Sequence, residues 1–182
     1  MQREDAYSGP LVFSLTPMGK PTLLELSQQY FDAADTLVES IKKQRIEDYK
    51  VAYPTLYLYR HSIELILKFI TDSNESTHNL NTVTDNFIAY VSKNHNQSVP
   101  NWIKESLKEL AKTDPTSTAF RYAEDKYNGK KHPPSSVEDV YVYVVNFQLR
   151  MTELYKALYR VATYFAKTST EQLIKEMAKE IK

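Results

Sequence analysis

Four side chains with chemistry to offer crowd one arc of a single apolar segment. Within the run from Thr55 to Thr71, Arg60, His61, Glu64 and Lys68 supply two cations, an imidazole and a carboxylate. Such groups can meet an anion or carry a proton. At about 100° per helical residue, they and Tyr57 fall within an arc of about 100°, while the apolar residues from Leu56 to Ile70 cover about 200°. Two arrangements fit this pattern. Arg60, Glu64 and Lys68 can form a solvated i, i+4 ladder worth a few tenths of a kcal/mol. Alternatively, so apolar a helix is a core element whose polar arc lines an internal groove. Glu64 then needs a cationic partner, because an unpaired buried carboxylate is very costly.

A second group lies in the longest interruption of the chain, residues 112–136, where Asp114 and Ser117 precede Phe120-Arg121-Tyr122. Phe120 and Tyr122 can anchor the loop while Arg121 makes a surface ion pair. In the sharper arrangement, Arg121 folds back onto Glu64 as a bidentate pair and pins the loop over the polar arc. His78, just before a helix start, reads as a cap or a packed ring, or as a proton carrier. The histidines show no metal-ligand spacing and no His-Glu-x-x-His, so no metal site is expected. Tyr53, Tyr57 and Tyr59 read as core and interface side chains rather than a base-stacking platform.

These residues must be positioned by helices. Residues 1–20 form an irregular arm, in which Leu11-Val12-Phe13 anchors on the helices or reaches a second subunit. Residues 21–182 form one domain. Thr22 and Glu25 make a capping box, after which Leu23, Leu26, Tyr30, Ala34, Leu37 and Ile41 share a face. The second helix is expected to begin near Pro54, tolerated in a first turn, and to run to about Thr71. A third starts near Asn79, and Pro100 opens a fourth, which buries Ile103, Leu107 and Leu110. Ser135 and Glu138 form another box ahead of the fifth and longest helix, whose seam runs from Val137 through Phe147, Leu154 and Leu158 to Phe165. That seam predicts coiled-coil-like packing, within the domain or between subunits. A last short helix follows the box of Ser169 and Gln172. The expected fold is all-α, an up-and-down helical bundle of five to six helices.

Composition narrows the function. Apolar residues make up 42% and charged residues 25%, and 23 basic side chains balance 23 acidic ones. That balance argues against holding a nucleic-acid duplex by bulk charge. No cysteine is present, which removes disulfides and thiolate zinc sites and suits a cytoplasmic address. The three glycines lie outside the periodic segments, so P-loop and Rossmann nucleotide sites are excluded. No cofactor is expected. No signal peptide is expected from the first residues, and no run approaches a membrane span. The 14 tyrosines suit partly wet cores and interfaces.

The run Tyr53-Pro-Thr-Leu-Tyr-Leu-Tyr-Arg60-His61-Ser-Ile-Glu64-Leu-Ile-Leu-Lys68, then His78-Asn-Leu80, then Asp114, Ser117 and Phe120-Arg121-Tyr122, resembles the HEPN superfamily over about residues 22–165. The resemblance implies a helical bundle that dimerises, and either an RNase of toxin–antitoxin and phage-defence systems or a non-catalytic partner that binds RNA or nucleotides. Under it, Arg60, Lys68 and Arg121 would meet phosphate, beside Glu64, Asp114 and Tyr122. His61 or His78 would be the acid or base. Catalytic members carry an Arg, four to six residues and then a His, and no such pair occurs here. The competing expectation is a non-catalytic homodimeric interaction or regulatory module, or the partner of another protein. There the long-helix seam and the tyrosines make the dimer face, and the polar arc is an internal ion-pair network. An open pocket lined by Arg60, His61 and Arg121 would favour the first, and a closed Glu64–Arg121 pair the second.

Overall fold

The computed structural model describes residues 19–73, 76–114, 116–122, 125–127, 130–132 and 142–180. The expected arm up to residue 18, the start of the expected long-helix seam at Val137 and Val140, and the Ser135 box lie outside these residues. The fold is all-α, a helical bundle. Its helices are α1 (Leu23–Lys42), α2 (Asp48–Ile70), α3 (Leu80–His95), α4 (Asn101–Thr113), α5 (Ala119–Tyr122) and α6 (Val144–Glu180). The long interruption also holds a small antiparallel hairpin, β1 (Asp125–Tyr127) paired with β2 (Lys130–His132). No helix among the described residues is long and apolar enough to cross a membrane.

Helix α1 starts where the capping box puts it, with both reciprocal bonds between Thr22 and Glu25 formed. Its buried line is Ser27, Phe31, Ala34 and Val38, rotated from the expected face, of which only Ala34 is fully enclosed. Ser27 breaks the apolar pattern but is satisfied, because its hydroxyl donates to the Leu24 carbonyl at 2.8 Å and meets the Tyr155 hydroxyl at 2.9 Å. A polar residue with two partners can thus sit in a core line.

Helix α2 begins at Asp48, earlier than expected, and carries Pro54 inside it. Proline removes one ladder bond and presses on the carbonyl four residues back. Pro54 is exposed, so water can serve the freed carbonyl of Lys50. From Tyr59 onward the helix is enclosed nearly all round, as α1, α3, α5 and α6 all pack on it.

Helix ends are made without glycine. Gln44, Asp72 and Asn96 sit at φ of 53°, 49° and 50° just past α1, α2 and α3. Asn and Asp tolerate this left-handed region better than other non-glycine residues. Asn79 caps α3 by accepting from the amides of Asn81 and Thr82.

Helix α6 continues unbroken through Ser169, so the separate last helix is not formed. No glycine or proline lies between Val144 and Glu180 to stop it. Its seam is used inside the domain: Met151, Leu154, Tyr155, Leu158 and Ala162 are buried in the core, with Phe147 and Phe165 packed at its edge. The opposite side leaves Val145 at 48% and Leu149 at 58% exposure. Leu158→Ala is expected to destabilise by about 2–5 kcal/mol, and Leu149→Ala by no more than about 0.5 kcal/mol. Urea unfolding of the two variants checks which side of α6 is the core.

Candidate functional site

The polar arc of α2 is internal. Arg60 and Glu64 have no solvent-exposed surface, Ser62 lies beside them at zero, and Lys68 is 7% exposed. The solvated-ladder arrangement is therefore not the one adopted, although its i, i+4 geometry survives in the buried state. Arg60 Nη1 donates to Glu64 Oε2 at 2.7 Å, and Lys68 Nζ donates to Glu64 Oε1 at 3.0 Å. One carboxylate thus receives a cation from the turn before it and another from the turn after it.

The other two nitrogens of Arg60 leave the helix. Nη2 donates to the His78 carbonyl at 2.6 Å, and Nε donates to the Asp114 carbonyl at 2.8 Å. The Asp114 carboxylate lies close as well, with Oδ2 3.5 Å from Arg60 Nε. Its Oδ1 accepts from the amides of Thr118 and Ala119 at 2.9 and 3.1 Å. Asp114 therefore ends α4, starts α5 and places a second negative charge beside the guanidinium. Ser117, with φ of 62°, makes the turn between. Arg60, Lys68, Glu64 and Asp114 sum to zero charge, the condition under which such groups can be enclosed.

The histidines differ. His78 Nδ1 lies 2.9 Å from Glu64 Oε1, and its side chain is 52% exposed. It does not cap α3, which Asn79 does. The His61 side chain is 16% exposed, and its Nδ1 stays 3.9 Å from Glu64 Oε2, an ion-pair distance rather than a hydrogen bond. Its ring is stacked on Tyr57 at 5.4 Å and meets Tyr30 edge-on at 4.6 Å. His61 is thus packed between aromatics, while the His78 side chain is half exposed.

Arg121 does not make the expected pair with Glu64. It is exposed, its Nε donates to the Ser117 carbonyl, and its guanidinium stands 5.8 Å over the Tyr57 ring. Glu64 already holds Arg60, Lys68 and His78, so the loop is pinned by Arg60 reaching out to Asp114 instead. Tyr122 closes α5, and its side chain lies outside the described residues. The structure brings together Arg60, Glu64, Lys68, Asp114 and His78, sets His61 at the edge, and leaves Arg121 on the surface. The expected open pocket of Arg60, His61 and Arg121 is not formed, since Arg60 is enclosed.

Burial by itself would raise the Glu64 pKa, but the surrounding side chains of His61, Arg60, His78 and Lys68 outweigh it and hold the carboxyl well below the usual carboxylate range. Glu64 is therefore a permanent anion at neutral pH.

A second polar junction was not visible in the sequence. The Tyr59 hydroxyl donates to Asp35, which also accepts from Gln148 Nε2 at 3.3 Å, joining α1, α2 and α6. Burial, then the Asp35 contact, raises the Tyr59 pKa far above its ordinary value. Beside it, Asp32, Asp35, Glu39 and Lys43 line a cavity of about 430 Å³ along α1. Among the described residues no cluster of His, Asp and Glu could hold a metal ion.

Glu64→Gln, which leaves two buried cations short of an anion, is expected to destabilise by about 3–5 kcal/mol in denaturant unfolding. The pH dependence has a fixed sign. A carboxyl whose folded pKa is depressed contributes stability that is present above its unfolded value of about 4.3. That stability is lost as the pH falls from there toward the folded value. The gap between wild type and Glu64→Gln should therefore shrink below about pH 4.3. A gap unchanged between neutral pH and about pH 3 would contradict the assignment. No family model matches this chain, and neither the curated proteins nor the solved structures include a match.

Proposed function

We propose that this chain is a HEPN-like, non-catalytic interaction module that pairs with a second copy, and that its α2 polar arc is a structural ion-pair network. The observation that carries the reading is the enclosure of Arg60. Each of its three nitrogens donates to a protein acceptor, and none of its surface reaches solvent. A guanidinium so held cannot meet a phosphate without dismantling two loops. The α6 seam is used within the domain, one of its two expected uses, so this reading needs a pairing face elsewhere. The start of α6 supports one. Val142, Tyr143, Val145 and Leu149 are 41–80% exposed within eight residues, a concentration of apolar surface that marks interaction sites.

One observation favours a second reading, an RNA- or nucleotide-directed protein of a toxin–antitoxin or phage-defence system. The exposed His78 ring has its Nδ1 against the ionised Glu64, an arrangement that orients an imidazole for proton transfer at its other nitrogen. Under this reading His78 would be the acid or base, Arg121 the exposed cation, and Arg60 and Glu64 the positioning pair.

The two readings separate in one set of experiments on the full chain. The purified protein is incubated with total RNA and labelled oligonucleotides beside His78→Ala, and its mass is measured by sedimentation equilibrium beside Leu149→Glu. The first reading expects neither cleavage nor binding of RNA, and a dimer that Leu149→Glu weakens by at least about tenfold. RNA cleavage lost in His78→Ala would overturn it in favour of the second, and a monomer at all concentrations would remove the pairing.

A further inference from the structure

The two polypeptide segments that meet Arg60 come from opposite ends of the α3–α4 pair. His78 lies just before α3, and Asp114 lies just after α4. We infer that Arg60 is a latch that joins the α2–α3 connection and the α4–α5 turn into one cooperative strap, so that loosening either loosens the other. This holds whichever reading of the function is correct.

The latch is one buried guanidinium with two backbone acceptors. Nη2 holds the His78 carbonyl, Nε holds the Asp114 carbonyl, and Nη1 is fixed on Glu64, on its own helix. A carbonyl that withdraws takes a hydrogen-bond acceptor away from a charged N–H in an enclosed site, which opposes the movement. Once one segment has moved and water has entered, the guanidinium is solvated and the opposition to movement of the second segment falls. Order is therefore shared between the two.

The segments also pass the restraint onward. On one side, Asp114 Oδ1 holds the first amides of α5, and α5 carries Arg121 over Tyr57. On the other, the His78 ring grips Glu64, and Asn79 caps α3. The exposed His78 ring and the exposed Arg121 are thereby linked through a group that neither side chain touches in the contacts described. A partner that orders one of them would order the other, which is coupling through a shared physical element.

Amide hydrogen exchange of the full chain, read segment by segment, tests the latch. Asp114→Ala removes the side chain that holds the turn and leaves the backbone carbonyl in place. Exchange should quicken by about tenfold in residues 116–121 and by a comparable factor in residues 76–80. Asn79→Ala, which removes the α3 cap, should produce the reciprocal effect in 116–121. Arg60→Lys keeps a cation for Glu64 but not the three-way fork, and should quicken both segments together. Acceleration confined to the segment that carries the substitution, with the other unchanged within about twofold, would overturn the inference. If Asp114→Ala does not fold, Asn79→Ala decides by the same criterion.

Discussion

A guanidinium and a carboxylate one helical turn apart, both cut off from solvent, set the terms on which the rest of this chain packs. Removing Arg60 and Glu64 from water is unfavourable, and their mutual attraction offsets it only when the remaining donors and acceptors are also met. The surroundings of α2 meet that requirement. Lys68 shares the carboxylate, the backbone carbonyls of residues 78 and 114 take the other two arginine nitrogens, and Asp114 balances the charge. The connections before α3 and after α4 are therefore determined by what one arginine needs. A solvated ladder would have placed no demand on either connection.

The same requirement shapes the rest of the core. The second junction, of Tyr59, Asp35 and Gln148, ties the α1–α2 hairpin to α6 by a polar contact within an apolar interface. Ser27 and Tyr155 repeat the device one level along the bundle, next to Phe31 stacked on Tyr155 at 4.2 Å. Tyr59 and Tyr155 are the tyrosines that serve this purpose among the described residues. Tyrosine buries its ring and keeps a hydroxyl for the partner helix, so the buried ones bind helices together while Tyr49, Tyr53 and Tyr164 remain outside.

How much of this was legible in the sequence depends on whether the signal was local. The Thr22 capping box, the inward line of α4 and the period of α6 are local and are found as expected, as are the all-α class and the separation of α2 into apolar and polar arcs. The start of α2 was displaced because Pro54 carries a start signal, whereas an exposed proline can also sit within a helix at modest loss. The continuity of α6 was masked by the Ser169 box, since a capping pair inside a helix looks the same in sequence as one at its end. The partner of Glu64 was a tertiary question. Sequence offered Arg60 and Lys68 one turn away in a solvated ladder, and Arg121 across the loop for an internal arc; the ladder contacts form, but inside the fold. Backbone carbonyls have no letter in a sequence, so the use of His78 and Asp114 by Arg60 could not be read from it.

The buried pair also bears on what the molecule can do. Groups that would meet a phosphate if they were free are committed to holding the fold, and the side chains left at the surface near them are His78 and Arg121. The claim that Arg60 and Glu64 act on each other, and not on an outside ligand, is tested most directly by a double-mutant cycle. Stability would be measured in the wild type, Arg60→Met, Glu64→Leu and the double variant under one set of conditions. A closed internal pair predicts a coupling energy of about 2–3 kcal/mol between the two positions. Additivity within about 0.5 kcal/mol would contradict the account and return Arg60 to the list of groups free to bind.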